Sequence, residues 1–106
     1  SRRGYLLGAP AYLAPERQAG VHDDPRSDLY AIGCIIHAVV AGGPPFVGTA
    51  LAVLASHEAT EPPRLRARVS DVPPALDDLV ARLLAKDPGQ RPRADELAQA
   101  LRRSMG

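Results

Sequence analysis

Tryptophan is missing from this 106-residue chain, and cysteine, methionine and phenylalanine occur once each. The single cysteine, Cys34, excludes an internal disulfide framework and agrees with a reducing, cytoplasmic setting. Charge of one sign is not in excess either. Thirteen basic and twelve acidic residues leave a net charge of +1, and they are interspersed, so no electrostatic surface for nucleic acid or anionic lipid is expected. Long hydrophobic runs are absent as well. The longest, Leu29 to Gly42, contains His37 and falls short of the ~20 residues that span a bilayer, so no membrane segment is expected in this chain. No signal peptide is visible.

What is present is ordinary for a globular chain. Apolar residues make up 45% and charged residues 24%, too apolar for intrinsic disorder. The length suits one domain or a piece of one, since domains usually run to ~100–150 residues. Ser1 opens the chain, which fits a piece of a longer domain as well as removal of an initiator methionine.

Eleven prolines and nine glycines separate four helical segments, and no strand is expected, so the chain reads as mainly α. The first helix is expected from Ser27 or Asp28 to Ala41, stopped by Gly42-Gly43-Pro44-Pro45. Its apolar residues, among them Leu29, Ile32, Ile35, Ile36 and Val39, cover nearly every side and predict burial all round. A second helix is expected from Thr49 to His57, with Leu51, Leu54 and Ala55 at helical spacing. The third, over 74–86, has Leu76, Leu79, Val80, Leu83 and Leu84 at i, i+3, i+4, i+7 and i+8, with Asp77, Asp78, Arg82 and Lys86 turned away. The fourth, over 94–103, groups Leu97, Ala98 and Leu101. Glu61 to Pro74, with four prolines, reads as an extended surface loop.

Several residues invite a chemical reading and have a plainer one. Cys34 reads as a small buried hydrophobe, because its helix is apolar and no base is assigned to it. Cys34 and His37 at i, i+3 are two ligands, short of a metal site, and no metal is expected. Asp77 and Asp78 are adjacent and diverge on a helix, so dipole compensation explains them better than paired acid–base chemistry.

Four motifs in sequence order carry a family resemblance. Ala14-Pro15-Glu16 closes the stretch Gly8 to Glu16; Asp28-Leu29-Tyr30-Ala31-Ile32-Gly33 fits D-x-[WY]-x-x-G. Gly42-Gly43-Pro44-Pro45-Phe46 fits G-x-x-P-F, and Leu84 to Pro92 fits L-x-x-D-P-x-x-R-P. Together they resemble a bacterial (Hanks-type) serine/threonine protein kinase, in the C-terminal part of the large lobe from the end of the activation segment onward. A-P-E stands late in the kinase signature set. The resemblance makes residues 1–106 a kinase-domain fragment, with 1–18 the extended end of the activation segment and 27–41 the buried F-like helix.

What the resemblance implies can be stated residue by residue. Glu16 and Arg91 should form a buried ion pair. Asp28 should anchor the backbone of a catalytic loop that lies before this chain, and is left here without that partner. Pro10, Ala11, Tyr12 and Leu13 should cradle the substrate residue that follows the phosphoacceptor. Ala9 stands where the family usually has threonine and lacks its hydroxyl. Ser1 and Tyr5 are the only hydroxyls before Gly8, and Ser1 is the candidate phosphosite.

Phosphoryl transfer needs a phosphate cradle, a lysine, metal-binding Asp and Asn, and a carboxylate for the hydroxyl nucleophile. The only lysine, Lys86, is expected late in the third helix, and Gly42-Gly43 runs into prolines. His22-Asp23-Asp24 follows A-P-E and lacks a suitably spaced Asn, so it reads as a solvated loop. No catalytic residue is therefore expected in this chain, which alone should be inactive. ATP and Mg²⁺ are implied for the full kinase, and the partners implied are protein substrates and the missing N-terminal part of the domain. The alternative is a catalytically inactive truncated kinase module that acts as a protein-binding partner, packing against another kinase or a regulator through the apolar first helix.

Overall fold

A computed structural model of the chain describes residues 10–21 and 23–105. Ser1, Tyr5, Gly8, Ala9 and His22 lie outside the described residues. Among those described there are helices and turns and no strand, the mainly α arrangement that the sequence leads one to expect.

The expected extended start is partly coiled. Pro10–Tyr12 forms a 3₁₀ turn, closed by the Leu13 N–H donating to the Pro10 carbonyl at 3.3 Å. A four-residue helix, α1 (Pro15–Gln18), follows with proline in its first turn.

The first long helix, α2 (Pro25–Ala41), begins earlier than the sequence suggested. Pro25 supplies a pre-set φ at the first position, and Asp24 rather than Ser27 or Asp28 caps it, accepting from the Arg26 N–H at 2.9 Å. The Arg26 side chain also donates to Asp24, and these bonds hold that carboxyl at about 2. The helix ends as expected at Gly42, whose φ of 84° suits glycine. It is not buried all round. Tyr30 and Cys34 are sealed, whereas Ile35 is 50% exposed and Val39 78%.

Helix α3 (Ala50–Ala59) is capped by the Thr49 hydroxyl and runs two residues past His57. Its buried side is Val53 and His57, i and i+4; Leu51 is 80% exposed and Ala55 is exposed, so the expected Leu51, Leu54 and Ala55 face does not form the contact. The Glu61–Pro74 stretch is not a plain surface loop either. It holds a short helix, α4 (Leu65–Arg68), and buries Leu65 and Val72.

Helix α5 (Pro74–Leu83) stops three residues before Lys86. Asp77 is buried rather than turned away, accepting from Arg64 Nε at 3.1 Å and from the Arg66 N–H at 3.5 Å, while Arg64 also pairs with Asp78. These two carboxylates thus fasten α4 to α5. A 3₁₀ turn (Pro88–Gln90) leads to α6 (Ala94–Met105), on which Leu97 is buried and Ala98 exposed.

The core has two parts joined through α2. Ala14, Tyr30, Cys34, Leu65, Val72, Val80 and Leu84 form one. Leu29, Leu79, Leu83 and Leu97 form the other. The α2 and α5 backbones approach closely at Gly33, where an added Cβ would stand 2.8 Å from the Leu83 Cβ. That crossing explains the glycine in D-x-[WY]-x-x-G.

Candidate functional site

Arg91 leaves the turn before α6 and enters the space between α1 and α2 with its side chain fully buried. A guanidinium has five N–H donors and no acceptor. Nε donates to the Ala85 carbonyl at 2.9 Å. Nη1 donates to Glu16 Oε2 at 2.6 Å and to the Arg26 carbonyl at 2.8 Å. Nη2 donates to Glu16 Oε1 at 2.9 Å and to the Lys86 carbonyl at 3.4 Å. All five donors are therefore used. The guanidinium also lies 4.9 Å from the centre of the Tyr30 ring, a cation–π distance.

Glu16 receives that fork and a third bond, from the Ser27 hydroxyl to Oε2 at 2.6 Å. Burial pushes its carboxyl up, but the hydrogen bonds from Arg91 and Ser27 outweigh it and leave Glu16 below its ordinary value. The structure thus brings Glu16 and Arg91 together across the chain, and adds Ser27 and Tyr30, which the sequence reading placed in the helix without a part in the anchor. Spacing within α2 was the available signal: Ser27 and Tyr30, i and i+3, share the face that meets the Glu16–Arg91 pair.

Asp28 goes elsewhere. Its side chain is 73% exposed and accepts from Arg17 Nη2 at 3.2 Å. Pro10, Ala11, Tyr12 and Leu13 are half-buried beside the sealed Ala14, with Tyr12 packed on the core. Pro10 and Ala11 form one wall of an apolar groove of about 380 Å³, whose other lining residues include Pro44, Phe46, Val47 and Val53.

Behind that groove lies His57. It is fully buried, shares a 2.6 Å hydrogen bond with the Tyr30 hydroxyl through Nδ1, and stands edge-on to Phe46 with ring centres 5.1 Å apart. No motif pointed to it. Lys86, outside the helix, donates from Nζ to the Ser56 carbonyl at 3.1 Å and sits 4.9 Å from the centre of the Phe46 ring, tying down the end of α3.

The remaining candidates have structural surroundings. Burial pushes the Cys34 thiol up to about 12, so it is no thiolate nucleophile. His37 shares a 3.0 Å hydrogen bond with the Gly43 carbonyl through Nδ1 and so braces the turn after α2. Among the described residues no group of three or more His, Cys, Asp or Glu side chains converges on a metal position.

The Pro10–Leu13 loop is thus followed by a short helix that a buried Glu–Arg fork pins beside α2. The chain belongs to the protein kinase family: the model for the protein kinase domain matches residues 3–101. Its relatives include the DNA damage-responsive serine/threonine-protein kinase RqkA of Deinococcus radiodurans, 44% identical over 89% of this chain. The serine/threonine-protein kinase PknB of Mycolicibacterium smegmatis is 39% identical over 81% of it. PknL of Mycobacterium tuberculosis is 38% identical over 90%. The chain spans 14%, 14% and 24% of those three proteins.

Proposed function

We propose that this chain is the substrate-docking and scaffold portion of an enzyme that transfers the γ-phosphoryl of ATP to serine or threonine hydroxyls of proteins. The observation that carries this reading is the five-bond Arg91 site. It ties the end of the Pro10–Leu13 loop to α2 and to the residues that follow α5, giving the loop the rigidity that positioning a hydroxyl nucleophile requires.

The described residues do not fit ATP or Mg²⁺. Lys86 is committed to Ser56 and Phe46, and no acidic group converges on a metal position. Nucleotide and metal are accordingly assigned to the part of the domain that precedes this segment, and no chemical step is assigned to a residue here. This chain's share is to receive the substrate backbone at Pro10 to Leu13, hold it in place through Glu16 and Arg91, and offer Asp28 to the catalytic loop. No helix among the described residues is long and apolar enough to cross a membrane, and a cytoplasmic setting is part of this proposal.

The test compares two proteins. The intact protein, carrying H-R-D and D-F-G before this segment, should phosphorylate a protein substrate with Mg-ATP, and the 106-residue chain alone should not. Transfer by the short chain would overturn the assignment of chemistry to the preceding part.

A second reading is favoured by one observation, the exposure of Ile35 and Val39 on α2. An inactive module would use that face to bind another kinase or a regulator. A short chain that runs as a stable monomer in size-exclusion chromatography and binds no hydrophobic dye would count against it.

A further inference from the structure

A second cavity, separate from the groove beside Pro10 and Ala11, opens between the Glu61–Leu65 stretch and α5 and has a volume of about 340 Å³. Buried Leu65, Val80 and Leu84 form its floor, with Ala81 beside them. Pro62 and Pro63 make one wall, and their fixed φ angles leave the hollow preformed rather than shaped by an occupant. Glu61, Asp87 and Gln90 stand exposed at the rim.

The cations of the lining are already engaged. Arg64 gives Nε to Asp77 and Nη2 to Asp78, and Lys86 turns Nζ to the Ser56 carbonyl and the Phe46 ring. The buried Asp77 is thereby answered, but the rim acceptors are not. The side chains of Glu61 and Gln90 make no hydrogen bond among the described residues, and Asp87 spends only Oδ1, on the Gly89 N–H at 2.9 Å. Glu61 attracts Lys86, and Asp87 attracts Arg26, only through space. An apolar hollow edged by uncommitted acceptors of negative charge complements a long apolar stem with a cationic head. Arginine fits better than lysine, because its planar fork brings five donors to several acceptors and sheds water more readily than an ammonium.

We infer that this cavity is a docking socket for one arginine side chain of a partner protein. The stem packs on Leu65, Val80 and Ala81, and the guanidinium reaches Glu61, Asp87 and the Gln90 amide oxygen. The volume lies at the lower end of ligand pockets, room for one long side chain rather than for a nucleotide. Ala85 and Lys86, in the cavity wall, also give their carbonyls to Arg91, so an occupant bears on the residues that hold the Glu16 anchor. Docking there involves no phosphoryl transfer and stands apart from the kinase reading.

Methyl NMR of the intact protein, labelled at alanine and leucine, reads the docking directly. The probe is the peptide acetyl-Gly-Gly-Arg-Gly-Gly-amide, and its control carries citrulline, which has the same shape without the charge. The arginine peptide should shift the methyls of Leu65, Ala81 and Leu84 saturably and leave Leu79 and Leu97 unmoved, and the citrulline peptide should bind about three- to tenfold more weakly. Glu61→Gln combined with Asp87→Asn, where Asn keeps an acceptor for the Gly89 N–H, should remove that difference between the peptides. If the double variant does not fold, Glu61→Gln alone, at an exposed residue, should weaken the arginine peptide about two- to threefold. Ala81→Leu fills the floor and should abolish the shifts. Equal affinity for the two peptides, unchanged affinity in folded Glu61→Gln, or no saturable shift at these methyls would overturn the socket. Tighter binding of agmatine, a free guanidinium on a similar stem, than of the arginine peptide would overturn a protein-borne occupant in favour of a small cation.

Discussion

Two faces of helix α2 carry similar side chains and have opposite fates. On the inner face Ser27, Tyr30 and Cys34 are sealed, and Gly33 lets α5 cross at contact distance. On the outer face Ile35 is half exposed, Val39 largely so, and Asp28 stands in solvent beside Arg17. The inner face is completed by this chain's own residues, through the Arg91 fork and the leucines of α5. On the proposed reading, the outer face is an interface awaiting the rest of the domain. An apolar helix surface therefore means two different things within 17 residues.

The largest expected effect lies inside. Arg91→Ala strands Glu16 and the carbonyls around it, and should cost about 3–5 kcal/mol, read as a lowered melting temperature. A melting temperature that does not change would erase the distinction between the faces. Gly33→Ala pushes a methyl against Leu83 and Leu84 and should cost about 1–3 kcal/mol in chemical denaturation.

Acid should attack the same side. Glu16 is held below its ordinary value of 4.5, so the stability it contributes is full above 4.5 and is lost as pH falls through the lower folded value. Denaturant midpoints should decline across that acid window in the wild-type chain, and the decline should flatten in Glu16→Gln.

The outer face should be far more tolerant in the short chain. Val39→Lys should shift its stability by no more than about 0.5 kcal/mol. In the intact kinase the same change should lower activity or solubility, because there the face would be covered; equal tolerance in both would argue that nothing covers it. Smallest of all, Asp28→Ala removes an exposed pair and should cost less than about 1 kcal/mol in the short chain.

Legibility followed the range of each interaction. Helix types, the Gly42 stop and the kinase motifs depend on neighbouring residues or on fixed spacing, and they could be read directly. Helix starts were less legible: a Ser27 or Asp28 cap looked adequate until Asp24 and Pro25 took that role. Asp77 and Lys86 were misread as solvent-facing because their partners, Arg64 and Ser56, sit 13 and 30 residues away. The Leu51 face failed for the same reason, since the contact made by α3 depends on where α2 and the Pro10–Tyr12 turn stand.

By itself the sequence determined a mainly α chain of the protein kinase family, with an A-P-E motif and an arginine able to fork a carboxylate. Local propensity and motif spacing are properties of the chain alone, and folding does not alter them. Tertiary structure decided which face of α2 is sealed, how all five Arg91 donors are used, and that His57 is buried against Tyr30 and Phe46. Those outcomes depend on which distant groups share a water-free space, and burial gives each of them its energetic weight.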